Sequence, residues 1–203
     1  MKRHIWWLWG LVLWGTIPAG CSFTKPRPEV HYYALSLTVP NTAGPLAKGS
    51  LIVRPLTARD PYDQEPIVYR TSPYTFDVYN YHRWASSPTE QITEWTRRYL
   101  SGSGLFERVF PTSDGIADLT LGGVIRQFEE IDQEKTWDAA LRIDFWLLRA
   151  GEVSPFWFRS YTVTRPATKR NPEAIAEAMS RCLEEVLQQL TTDLKAVVTA
   201  PLP

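Results

Sequence analysis

The chain has 203 residues, 44% hydrophobic and 13% aromatic, and its 22 Lys and Arg are matched by 22 Asp and Glu. That length gives one domain with a core large enough to hold together without a staple. The charge balance argues against nucleic acid and against a polybasic membrane patch, and two cysteines are too few for a disulfide framework.

Lys2 and Arg3 begin the chain, followed by a nearly unbroken apolar run from Ile5 to Ile17 that contains Trp6, Trp7, Trp9 and Trp14. The run is too short and wrongly flanked for a lasting membrane span, and it predicts a secretory signal over residues 1–20. Ala19 and Gly20 then precede Cys21, which resembles the lipobox of bacterial lipoproteins, where the thiol is acylated and the chain is cut just ahead of it. Pro18 stands where a lipobox usually has Leu, so an ordinary signal cut near Gly20, leaving a soluble periplasmic protein, is the alternative. Acyl chains contribute about 0.8 kcal/mol per buried methylene, so two or three of them anchor durably. Ser22, in place of the Asp that usually retains lipoproteins at the inner membrane, favours the outer membrane. Residues 21–30, with Pro26 and Pro28, predict an extended tether between lipid and folded body.

A first strand is expected over His31 to Thr38, and a second over Ser50 to Leu56 around Leu51, Ile52 and Val53. Pro66 to Trp84 predicts a hairpin, with turn chemistry at Thr71 to Tyr74 and a long second strand rich in aromatic residues. Ser87 as N-cap, Pro88 at the first helical position and Glu90 as capping-box partner start a helix whose apolar face is Ile92, Trp95 and Tyr99. Gly102 is its stop, and Gly102-Ser103-Gly104 reads as a C-cap, not a phosphate cradle.

Phe106 to Phe110 is a short strand, and three segments then suggest a meander. Asp118 to Ile131 places Leu119, Leu121, Gly123 and Ile125 on one side; Trp137 to Leu148 alternates more cleanly, with Asp138, Arg142 and Asp144 on its polar face. One face is therefore buried and the other largely wet. Pro155 to Val163 is the last strand. Asn171 and Pro172 open a second helix with Ile175, Met179, Cys182, Val186 and Leu190 at helical spacing, beside Leu183, Leu187 and Leu194. Cys182 is then a small buried hydrophobe, with no intramolecular disulfide expected. The fold class is α+β: a single domain over residues 31–198 with a mixed, mostly antiparallel sheet backed by two α-helices, and a disordered tail at 199–203.

A catalytic constellation is hard to find. Beyond the signal only His31 and His82 remain, without metal-ligand spacing, and there is no Gly-x-Ser-x-Gly elbow. Glu129 and Glu130 point apart on a strand, so they form no acid/base pair. No enzyme, no metal and no cofactor are expected; a periplasmic hydrolase would need a nucleophile and an acid gathered around His31 or His82. Aromatic density at Tyr79, Tyr81, His82, Arg83 and Trp84 stands out instead, because aromatics and Arg anchor protein interfaces. Strict alternation sets Tyr79, Tyr81 and Arg83 against Val78, His82 and Trp84. Tyr79, Tyr81, Arg83 and, beside them, Trp84 are the candidate partner interface, with packing of these rings into the core as the competing use.

In chain order, Tyr32-Tyr33-Ala34-Leu35, Leu51 to Pro55, Ile67 to Arg70 with Ser72-Pro73-Tyr74, and Tyr81-His82-Arg83-Trp84-Ala85 with Pro88 follow the lipobox-like Cys21. Ala117 to Gly123, Trp137 to Leu141 and the alanine-rich segment from Pro172 to Leu194 complete the series. This order resembles the ABC-type transport auxiliary lipoprotein family. The resemblance implies a sheet backed by two helices and no catalytic residues. It implies an outer-membrane, periplasm-facing lipoprotein working beside an ABC permease, its ATPase and a periplasmic protein with mammalian-cell-entry (MCE) domains, in lipid or phospholipid transport. Its implied role is to dock the MCE component at the outer membrane, with self-association open. The other non-enzymatic reading is a lipoprotein activator or assembly factor for cell-wall or outer-membrane machinery.

Overall fold

The structure is a computed structural model and describes residues 28–42, 44–45, 49–111 and 117–199. The expected signal, Cys21 and most of the tether, like the chain beyond residue 199, lie outside the described residues.

Strand β7 (Leu119–Asp132) is the axis of a nine-stranded mixed sheet. Along one edge it pairs antiparallel with β8 (Trp137–Arg149), which pairs antiparallel with β9 (Trp157–Pro166), and these long ladders are the expected meander. Along its other edge three segments follow one another, all parallel to it: β2 (Ser50–Val53), β3 (Thr57–Ala58) and β4 (Pro66–Ser72). β6 (Arg108–Pro111) extends the sheet beyond β2, and β5 (Thr75–Trp84) and then β1 (His31–Tyr33) extend it beyond β4. The sheet is thus mixed, with the antiparallel ladders much the longer ones.

Both helices cover one face of this sheet. Helix α1 (Pro88–Gly102) starts where Ser87 Oγ accepts the Glu90 backbone N–H at 3.3 Å, and it buries Ile92, Thr96, Tyr99 and Leu100. Its end is set by space as much as by conformation. A Cβ on Gly102 would lie 2.2 Å from the carbonyl oxygen of Pro40, while Gly104 takes the left-handed φ of +66°. Helix α2 (Pro172–Thr199) is capped by Asn171, whose Oδ1 accepts the Ala174 N–H at 2.8 Å, and every residue of its expected apolar stripe is buried. Cys182 lies 3.4 Å from the Ala139 carbonyl of β8. Ala139, Leu141, Ile143, Phe145 and Leu147 of β8 form the floor beneath α2, at 0% exposure each.

Three expectations need correction. The first strand stops at Tyr33, not Thr38, because other partners claim the backbone that follows. Leu35 N–H donates to Gln91, its carbonyl accepts Trp95 Nε1, and Ser36 N–H donates to Ser180, so the segment is tied to both helices. The second strand ends at Val53, where Pro55 lacks an N–H and Leu56 N–H turns to Thr93 Oγ1. Alternation along β5 also fails. Between the pairs Val68↔Val78 and Pro66↔Arg83, the four residues from Tyr79 to His82 stand opposite Ile67 alone.

Candidate functional site

That irregularity in β5 decides where the aromatic residues go. His82 stacks on His31 of β1 with ring centroids 5.3 Å apart, accepts or donates at Nδ1 to the Tyr33 hydroxyl at 2.9 Å, and meets the edge of Tyr79 at 5.5 Å. Tyr79 and His82, three residues apart, therefore share a face that strict alternation would have denied them. Burial, and then the neighbouring His31, lowers the His82 pKa. Tyr79 also packs on Tyr69 at 4.8 Å and donates its hydroxyl to Glu130 of β7, which is fully buried. Burial is the main cause that raises the Glu130 carboxyl to about 7, opposed by the Tyr79 hydrogen bond.

Of the four candidate interface residues, Tyr81 is the open one, at 44% exposure. Tyr79 is half-buried. Arg83 is partly buried with Glu65 as ion partner at 3.7 Å, and its Nε is buried without a hydrogen-bond partner among the described residues. Trp84 belongs to the core: it is 2% exposed, because its ring packs on Phe128 of β7 at 4.9 Å. The surface passes instead to residues that alternation did not single out. Exposed Tyr32, Tyr74 and Phe76 join Tyr81 along β1, β5 and the hairpin turn. Of the seven large exposed hydrophobics among the described residues, five (these four and Val30) lie on this edge, so the apolar exposure is concentrated, not scattered.

The opposite, helix-free face carries a second feature. In β7, Arg126 has no partner in β8, because Ile125 pairs with Ile143 and Gln127 with Arg142. The bulge resets the parity: Phe128 and Glu130 point to the helices, whereas Glu129 turns outward. There Arg70 of β4 grips Glu129 through Nε at 2.9 Å and Nη2 at 3.1 Å, and Tyr62 donates its hydroxyl to the same carboxylate at 3.1 Å. Beside it, Arg126 Nε donates to Asp144 at 2.7 Å, and Ser160 donates to the other oxygen at 2.6 Å. Burial opposes ionisation of Asp144, but the hydrogen bonds from Ser160 and Arg126 and the charges of Arg126 and Arg142 hold its pKa below the usual carboxylate range. An open hollow of about 540 Å³ lies over these groups, lined also by Arg59 and Arg142. The face expected to be merely wet is an organised ionic surface.

Neither histidine hydrogen-bonds a serine or a carboxylate among the described residues, and no group of three or more His, Cys, Asp or Glu is placed there to hold a metal. Among those residues no helix is long and apolar enough to cross a membrane.

A mixed sheet with two helices on one face, an ordered ionic surface on the other and an aromatic edge beside the N-terminal segment makes this an α+β single-domain scaffold. The chain belongs to the ABC-type transport auxiliary lipoprotein component family, whose profile matches residues 33–191. It is similar in structure to a protein from Xanthomonas campestris, with TM-score 0.74 and 25% identity over 83% of this chain and 97% of that one. A hypothetical protein from Chlamydia trachomatis shares the fold at TM-score 0.51 and 9% identity, over 76% of this chain and 100% of that one. A search of curated proteins finds no match.

Proposed function

We propose that this protein is a non-enzymatic lipoprotein of the outer membrane, facing the periplasm, that docks the MCE-domain protein of a lipid-transporting ABC system. Membership of an auxiliary lipoprotein family supports the transport role. The observation that carries the docking reading is the concentration of Tyr32, Tyr74, Phe76 and Tyr81 along one edge of the sheet. Aromatic side chains supply large, stiff contact area, and exposed aromatics gathered on neighbouring strands mark an interaction surface.

Mechanism on this reading is positional. Lipid on Cys21 confines the domain to the bilayer surface, and the covalent path from Cys21 to Val30 spans at most about 30 Å. The aromatic edge, which begins at Val30 and Tyr32, is thereby held close to the membrane, and confinement raises its effective concentration toward a partner at the same surface.

A photo-crosslinking amino acid placed at Tyr81 in the full chain, in cells, tests the docking. It should capture the MCE-domain protein, while the same probe at Val153, 95% exposed on the β8–β9 turn, should not. Capture of a cell-wall synthase from Tyr81, or of the MCE protein from Val153 alone, would transfer the assignment to the assembly-factor reading or to another surface. Anchoring is tested separately: Cys21→Ala should leave a folded domain in the soluble fraction, and its persistence in outer membranes at high salt would exclude anchoring through that thiol.

A further inference from the structure

The hollow on the helix-free face contains more positive charge than its own acids neutralise. Arg59, Arg70, Arg126 and Arg142 line it against Glu129 and Asp144. Arg70 is fully engaged by Glu129, as described. Of the other three, Arg126 and Arg142 are held by one end only. Arg126 uses Nε on Asp144, Arg142 uses Nε on Ser160 at 3.2 Å and otherwise approaches Asp144 no closer than 3.9 Å, and the Arg59 side chain has no acid within ion-pair distance among the described residues. The terminal amino groups of Arg59, Arg126 and Arg142 are thus without protein partners among the described residues, on guanidinium groups that β7 and β8 have already oriented in two of the three cases.

These three forks enter from different elements: the stretch after β3, the bulge in β7, and the middle of β8. A carboxylate offers two oxygens, and Arg70 with Glu129 shows such a pair fully satisfied. Three guanidinium groups lining one hollow from three separate elements suit an anion with oxygens in a tetrahedral arrangement, which guanidinium binds with paired hydrogen bonds. We infer that this hollow is a binding site for a phosphoryl group, as inorganic phosphate or as a phosphate ester in a lipid headgroup, held by Arg59, Arg126 and Arg142. Glu129 and Asp144 serve it by fixing their arginines, not by contact with the ligand. The site does not depend on the aromatic edge, and its failure would leave the Tyr81 crosslinking result untouched.

The test is calorimetric titration of the full lipidated chain in neutral detergent at low ionic strength, with inorganic phosphate in one arm and monomeric dihexanoylphosphatidylglycerol in the other. Saturable binding is expected, and Arg59→Gln and Arg142→Gln should each weaken it about tenfold, the usual size of one charge-assisted contact. Both side chains are solvent-accessible, so both variants should fold. Arg97→Gln, on helix α1 away from the hollow, should bind as the parent does. Tighter binding in the second arm assigns the site to a headgroup, and binding in the first arm alone assigns it to free phosphate. The inference is overturned if neither arm saturates, if the two hollow variants bind normally, if Arg97→Gln weakens binding equally, or if a triglutamate peptide binds more tightly than both probes.

Discussion

The hydroxyl of Tyr79 lies 3.1 Å and 3.2 Å from the two carboxylate oxygens of Glu130, so one buried acid on the helical face has a tyrosine as its close hydrogen-bond partner. Its neighbour Glu129, one residue earlier and on the other face, has a full guanidinium. The two adjacent acids consequently differ in how much of their charge is compensated.

Glu130 therefore makes stability depend on pH. Its carboxyl titrates at about 7 in the folded protein, against an ordinary value of 4.5. Below about 4.5 both folded and unfolded chains hold the proton, and folding carries no penalty. Between the two values the unfolded chain releases its proton first, so stability falls as pH rises, by on the order of 3 kcal/mol in all. Glu130→Gln stays neutral and can still accept from Tyr79. Denaturant unfolding at pH 5 and pH 8 should show the variant gaining on the parent at the higher pH; a constant difference between the two would mean that Glu130 does not titrate there.

Trp84 and Tyr81 separate core from surface. Trp84→Ala empties a site packed on Phe128 and should cost about 3–5 kcal/mol. Tyr81→Ser removes an exposed ring and should stay within about 0.5 kcal/mol of the parent. Equal losses in chemical denaturation would show that Tyr81 is also structural, and would disqualify it as a docking residue free to be mutated.

Gly122 has its place because of one ring. A Cβ there would lie 2.6 Å from the indole of Trp146, which is laid across the strand. Gly122→Ala should lose about 1–3 kcal/mol through overpacking. Combining it with Trp146→Leu should recover part of that loss, and the coupling in a double-mutant cycle measures the contact. Additive losses would refute it.

Cys182 should be inert in the native protein. Burial pushes its thiol up to about 12, and the thiolate is the reactive form. A maleimide added to the folded chain should leave Cys182 unlabelled until denaturant is present; labelling at the native rate of an exposed thiol would contradict the packing of α2 on β8.

Much of the architecture could be read from residue order. Proline after a capping residue placed both helix starts, at Ser87-Pro88 and Asn171-Pro172, because the cap and the missing N–H act within one turn. Alternation identified the inward face of β8 from Ala139 to Leu147, since a regular ladder keeps its period. Period-two reasoning failed where the ladder slips. In β5 the residues from Tyr79 to His82 bulge against Ile67, which put Tyr79 and His82 together; in β7 the unpaired Arg126 turned Glu129 outward and Glu130 inward.

The order of residues by itself determined the two helices, their caps, the long strands with the apolar faces of their regular stretches, and the family, because these depend on interactions within a few residues or on a pattern carried along the chain. Only the tertiary structure decided which face each residue beyond a bulge would take, and which distant strands lie side by side. Arg70, Arg126 and Arg142 come from three separate strands, and Arg59 from the stretch that follows a fourth. Their charges meet because β7 pairs with β3, β4 and β8 at once, and that juxtaposition has no trace in local sequence.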